Sequence, residues 1–428
     1  MIRQGMLSAN AFGLTWGIRL EQAIRGLLFV YIASLPFPKL LFIERHAFIV
    51  LMGLLVIWSV VNRRLWFVPT PIDAPLLAWV IWIGITIPFA SFPDYSLKEF
   101  GKLLQGVIVF YAVVFFLGHE RQRNALVNLL VLIVIVVSLA GIYQFDPANY
   151  QATRSFLTSE VWLTTFLVML IPLCWALAVF DRQKARSAVF LIAGFLATGC
   201  LLLTQSRAGL LALVVEAWIF VLLYRHRLFQ IAVYALTGIV LLLFLVATYV
   251  DRTASEGPLL QLRKVIPFRT FMPSIEHRFD IWSFALAEIG QHPIVGIGYG
   301  GETLRSLYPD NHDTGLVDGR RVMTVGTHNI FLYLALHVGI PGLCLFVWVL
   351  GSVIHGLRKA YLHATEFPAV AIFLGVMTGV CGLLVRIQFD QMFVGTMALL
   401  FWVLLALAVA HMEGQRKNRG TAQAVCVS

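Results

Sequence analysis

Charge is the scarce ingredient of this sequence. Asp, Glu, Lys and Arg make up 13% of the residues and hydrophobic types 59%. That ratio excludes an ordinary soluble domain and fits a chain that crosses a membrane many times. Cysteine is also sparse. Cys174, Cys200, Cys344 and Cys381 sit in apolar runs and Cys426 in the tail, so no disulfide framework is implied. The sequence has no Asp-x-Asp pair of the kind that holds a divalent ion on a nucleotide sugar, and no internal repeat or separate soluble domain. The start lacks a small-residue cleavage site, so the first apolar run is expected to serve as an uncleaved anchor. The net charge of +10 is not read as a nucleic-acid signal, because most cations fall in short clusters between apolar runs.

The apolar runs predict an all-α polytopic membrane protein with about twelve spans of bilayer length. They are placed at 22–41, 46–61, 73–90, 99–118, 124–144, 160–180, 187–204, 208–223, 228–250, 328–356, 367–385 and 391–411. Lysine and arginine clusters occupy every second loop: Arg63-Arg64, Arg121 with Arg123, Arg182 with Lys184 and Arg186, Arg225 with Arg227, and Arg358-Lys359. The tail repeats the pattern with Arg416-Lys417 and Arg419. The alternation places this side, both termini and the tail 412–428 in the cytoplasm. The organisation expected is nine spans within 1–250, a large outer loop at 251–327, and three spans within 328–411.

The loop mixes surface-seeking and helical patterns. Residues 259–269 mix apolar and basic types, as a membrane-surface segment does. Ile275, Phe279, Trp282, Ala285 and Ile289 recur at helical spacing, and Gly290 and His292-Pro293 stop that helix. Gly296-Ile297-Gly298-Tyr299-Gly300-Gly301 follows no clear strand and is not a dinucleotide-binding turn. Asp310, His312 and Asp313 read as solvated loop residues rather than metal ligands.

Arginines in short outer loops run against the charge rule and need a reason. Arg154, Arg207 and Arg386 are such residues, and Arg278 lies on the loop helix. An interfacial anchor is the ordinary explanation. A planar guanidinium also matches phosphate oxygens, and two or more converging would bind a diphosphate leaving group. Arg207 is favoured, since Ser206 and Gly209 around it allow close backbone approach. Arg386 is spaced to pair with Asp390, and Glu276 and Asp280 are spaced to neutralise Arg278. His328 opens a helix, where the positive helix end favours a neutral, proton-accepting ring. Asn329 behind it can orient substrate or cap the helix. His337 is read as a core hydrogen-bonding residue, and Gly339 and Gly342 as close-packing positions.

The topology resembles that of the O-antigen ligase and O-antigen polymerase superfamily. The sharper marks are Ser206-Arg207-Ala208-Gly209, Arg278 through Trp282 to Pro293, Gly296-Ile297-Gly298, and His328-Asn329 with Gly339 and Gly342. The stretch after Arg154 lacks the His-Pro-Asn element of many relatives. The resemblance implies catalytic roles for His328, Arg207 and Arg278, and substrate contacts from Arg154, Arg386, Asn329 and Ser206. It also implies an inverting, metal-independent transfer without a cofactor, at the periplasmic face of a bacterial inner membrane. The donor would be O-antigen on undecaprenyl diphosphate, and the acceptor a sugar hydroxyl of the lipid A-core. Rival expectations are a polymerase or a protein O-oligosaccharyltransferase using the same donor. A lipid-linked glycan transporter is a rival of another class, although charge at one face suits it less.

Overall fold

The computed structural model describes residues 2–427 except 147–150, 225, 228–229, 232, 236, 240, 243–244, 247–270, 309–315, 318–319, 322–325 and 392. The helices are α1 (Ile2–Ser34), α2 (Leu41–Asn62), α3 (Asp73–Thr86), α4 (Pro93–Phe116), α5 (Glu120–Gln144), α6 (Glu160–Phe180), α7 (Lys184–Leu203) and α8 (Arg207–Tyr224). After them come α9 (Phe271–Gln291), the short α10 (Thr303–Leu307), α11 (Ile330–His363), α12 (Ala369–Arg386) and α13 (Gly395–Val427). A minimal hairpin pairs β1 (Leu316–Val317) with β2 (Arg320–Arg321).

Among the described residues, nine helical stretches are long and apolar enough to cross a membrane. The protein is therefore a multi-pass membrane protein. These nine coincide with nine of the expected spans. Of the other three, 73–90 is a shorter apolar helix, Asp73–Phe89. The span expected at 22–41 is cut short, because α1 ends at Ser34 ahead of Pro36 and Pro38, which cannot continue a helix. The span at 228–250 lies only partly within the described residues.

Burial separates centre from rim. The apolar windows of α6, α12 and α13 are each 78% buried, that of α2 only 22%, so the first three form the middle of the bundle. Glycine brings α6 and α12 together. A Cβ at Gly375 would press on the Leu173 backbone and one at Gly379 on the Met169 carbonyl, the small-residue packing that membrane helices use.

Helix α11 is not continuous. Gly339 has φ 75° and ψ 172°, so the span breaks into an outer half, 330–338, and an inner half. Pro341 has no N–H for the His337 carbonyl. The freed groups are taken up by the glycine-rich loop. Ile297 and Gly298 donate N–H to the Leu336 and His337 carbonyls (2.9 and 3.1 Å), and Ile340 donates to the Pro293 carbonyl (2.9 Å). The Trp82 indole donates to the Val338 carbonyl (2.9 Å). Gly339, expected to be a packing position, is thus a helix break filled by a wedge of loop backbone. Gly342 does pack closely, against Val338 and Trp82. The Gly296–Gly301 stretch is this wedge, braced on its other side where Ser91 donates N–H to the Ile297 carbonyl (2.9 Å).

The loop helix forms where the sequence places it, and among the described members of its periodic set only Phe279 departs from the buried face. Ile281, Phe284 and Ile289 are buried against Ala335 and Leu336 of the first half of α11, and Ala285 is also buried, while Phe279 is 61% exposed. Phe279 instead meets Trp282 edge-on.

Candidate functional site

The site forms at one end of the bundle, where α7 turns into α8, α11 begins and α12 ends. Ser206 caps α8 through its Oγ, which accepts from Gly209 N–H (3.2 Å). Gly209 has no room for a side chain against Thr164 of α6. Arg207 is half-buried at the first turn of α8, within Coulombic reach of Arg278.

Asn329 caps α11. Its Oδ1 accepts from Phe331 and Leu332 N–H (2.9 and 3.1 Å), and its Nδ2 donates to Gln388 Oε1 (3.1 Å). The cap brings the residue before it, His328, against the turn that follows α12. Ile330 N–H donates to the Ile387 carbonyl (3.0 Å) and fixes the two segments side by side.

His328 and Asp390 form the centre. The ring Nδ1 lies 3.0 Å from Asp390 Oδ1, and Arg386 Nη1 lies 2.8 Å from Asp390 Oδ2. A carboxylate only accepts, so Nδ1 carries the proton and the neutral ring keeps its lone pair on Nε2. Arg386 and Asp390 pair as their spacing predicts. Arg386 is 1% exposed, so its charge serves Asp390 and the buried turn. Burial by itself raises the Asp390 carboxyl. The His328 hydrogen bond and the Arg386 charge outweigh it and hold the group below its ordinary value.

Helix α9 clamps both loops. Arg278 Nη1 donates to the Phe389 carbonyl (2.7 Å) and its guanidinium lies over the Phe389 ring at 5.6 Å. One turn on, the Trp282 indole donates to the Thr327 carbonyl (3.1 Å). One helix face thus holds the residue before His328 and the residue before Asp390. Arg278 also feels the charges of Asp390 and Arg386. The side chain of Glu276 lies outside the described residues.

Arg154 lies on a loop tied to the end of α7. It is exposed, and its neighbours fasten the loop. Thr153 donates N–H to the Leu203 carbonyl (3.2 Å), at the end of α7, and Ser155 Oγ donates to the Val137 carbonyl (2.6 Å). Three of the four described non-glycine residues with positive φ fall in these loops: Ser155 at 54°, Gln205 at 53° and His328 at 47°. Such backbone strain persists only where surrounding contacts enforce it, and it concentrates at functional sites.

Arg207, Arg278, Arg386 and His328, singled out by sequence, therefore converge. Ser206 and Asn329 are present with their side chains engaged in capping. His337 is buried as expected, with Nδ1 2.8 Å from the Tyr333 carbonyl. Asp390 as the histidine's partner, Gln388, and the clamping role of Trp282 were not anticipated. The available signal was a polar turn, 386–391, closing an apolar helix. The depressed Asp390 carboxyl has a consequence for stability. The charged form contributes fully above its unfolded value, about 3.9, and the contribution is lost as pH falls through the lower folded value. Asp390→Asn is expected to lower the melting temperature at pH 7 and to remove this part of the acid-side loss. Thermal melts between about pH 3 and 7 would show both changes.

Two comparisons with known proteins place the chain among its relatives. Residues 188–347 match the family described as O-antigen ligase, a stretch that holds Arg207, Arg278 and His328. The O-antigen ligase of Salmonella typhimurium strain LT2 is 22% identical over 387 residues, covering 85% of this chain and 90% of that protein. With that stretch matched and the likeness running along most of both chains, the chain is similar to O-antigen ligases.

Proposed function

We propose that the protein is a metal-independent, inverting glycosyltransferase that moves O-antigen from undecaprenyl diphosphate to a sugar hydroxyl of lipid A-core, at the periplasmic face of a bacterial inner membrane. The observation that carries this reading is the gathering of Arg207, Arg278 and the His328–Asp390–Arg386 chain at one end of an apolar bundle. Both substrates are amphiphiles whose reacting groups lie at a membrane surface, and that end of the bundle is where such groups meet.

Each step has a residue suited to it. Arg207 and Arg278 hold the diphosphate and stabilise the charge it gains as the sugar–oxygen bond breaks. His328 takes the acceptor hydroxyl proton on Nε2 while that oxygen attacks the anomeric carbon from the opposite face. Asp390 keeps the ring in the correct tautomer and stabilises the imidazolium that forms, in the manner of an acid that orients a catalytic histidine. Arg386 fixes Asp390 and acts as a positioning residue. Arg154 borders the site and extends its positive edge toward a large glycan.

Replacement of the gene in its host, read on lipopolysaccharide gels, tests the reaction. Loss of a ligase leaves bare core with long chains stranded on carrier lipid. Core capped by a single repeat would instead identify a polymerase. Arg207→Lys and Arg278→Lys are expected to reproduce most of the ligase defect, because an ammonium cannot give the bidentate grip of a guanidinium. Purified protein should transfer glycan in the presence of a chelator, and activity restored only by added divalent ion would refute the metal-free claim.

A further inference from the structure

A second site lies deeper in the bundle, between the helices that carry Arg207 and Arg386. Glu216 is two and a half turns along α8 from Arg207, about 13 Å. It faces α12, where a Cβ at Gly382 would collide with its carboxyl group. It is 2% exposed, and neither of its oxygens has a hydrogen-bond partner among the described residues. Thr378 Oγ1, also on α12 and fully buried, is likewise unpartnered. Both line one cavity of about 420 Å³. Apart from Thr198, whose hydroxyl donates to the Gly194 carbonyl (2.8 Å), its other walls are apolar and include Pro172 and Trp175 of α6 and Phe195 of α7. Phe195 is 60% exposed on the outside of the bundle, so the cavity borders the lipid.

An unpaired carboxyl at this depth is costly and marks a functional position by default. The cavity falls within the size range of small-molecule sites, and Glu216 and Thr378 are its two unpartnered polar groups. Two unsatisfied groups define what fits. Glu216 offers acceptor oxygens, and Thr378 offers a hydroxyl with a proton to give. A ligand hydroxyl can donate to one oxygen of the first and accept from the second, which gives each group a partner. A hydrocarbon satisfies neither, and a protonated amine leaves the threonine proton unplaced.

We infer that this cavity binds an apolar alcohol entering from the bilayer, its hydroxyl between Glu216 and Thr378 and its chain against Trp175 and Phe195. The inference is independent of the transfer reaction and would survive the failure of that proposal.

Dicyclohexylcarbodiimide adds to carboxylic acids reached from an apolar phase and leaves an acylurea on the modified side chain. Full-length protein in lipid nanodiscs is treated with it, and peptide mass spectrometry reads the site. Glu216 should be modified. Farnesol should slow the modification at a concentration about tenfold below that needed for farnesene, which has the same chain without the hydroxyl, since one net hydrogen bond to a buried charged or polar group is worth about that ratio. Stronger protection by farnesol than by hexadecanol assigns an isoprenoid alcohol, and the reverse a straight-chain one. Ala217→Trp, which fills the cavity, should slow modification with no alcohol present. Absence of modification at Glu216, or equal protection by farnesol and farnesene, would overturn the inference, and that comparison needs only the wild-type protein.

Discussion

His328→Ala is expected to lower glycan transfer by roughly a hundredfold to ten-thousandfold, the range that a positioned general base contributes, with normal protein levels. The residue is half-buried and lies outside both α11 and α12, so its loss removes a ring and one hydrogen bond without opening the bundle. Binding of the lipid-linked donor should change little, because the arginines that hold the diphosphate remain. The fall belongs in kcat. His328→Gln separates positioning from proton transfer. If Gln restores most of the rate, the ring only orients substrate. If it behaves like Ala, the lone pair on Nε2 is what the reaction uses. Transfer within about twofold of wild type in His328→Ala would remove the histidine from the mechanism altogether.

Gly339→Val is expected to have the other large effect, and on the fold. Two penalties combine at this position. The φ of 75° lies in the left-handed region, where a β-branched residue is a genuine outlier. A Cβ there also collides with the Ile294 carbonyl oxygen, which is backbone and cannot swing aside. Together these cost several kcal/mol on the order of the whole stability margin of a domain. Folded protein in the membrane should fall at least about tenfold, measured by fluorescence-detected size exclusion. Gly342→Ala, where the nearest obstacles are the Val338 and Trp82 side chains, should be tolerated better. Normal accumulation of Gly339→Val would mean that the break in α11 is not required.

The sequence makes some of this site legible and hides the rest for identifiable reasons. Arg207 and Arg386 stand out because a cation in a short loop opposes the charge pattern around it. His328 stands out because it opens a helix next to a capping residue. Asp390 is plain as a partner for Arg386 four residues away, but its bond to His328 joins positions 62 apart and depends on α9 drawing two loops together, which no local pattern records. The break at Gly339 is hidden because a glycine reads the same whether it gives space or a positive φ. Pro341 two residues on was the better clue. Phe279 of α9 is misjudged since it suits a core and a membrane surface alike. Glu216 carried a signal too, as an isolated acid within an apolar run.

The wedge in α11 also bears on the order in which its parts are synthesised. The outer half, 330–338, is too short to hold helical form by itself, and its carbonyls at the break would be exposed to lipid without the loop backbone that receives them. That backbone, Pro293 to Gly298, precedes α11 in the chain and leaves the ribosome first. The backbone that receives those carbonyls is therefore already present in the chain when the helix that needs it emerges.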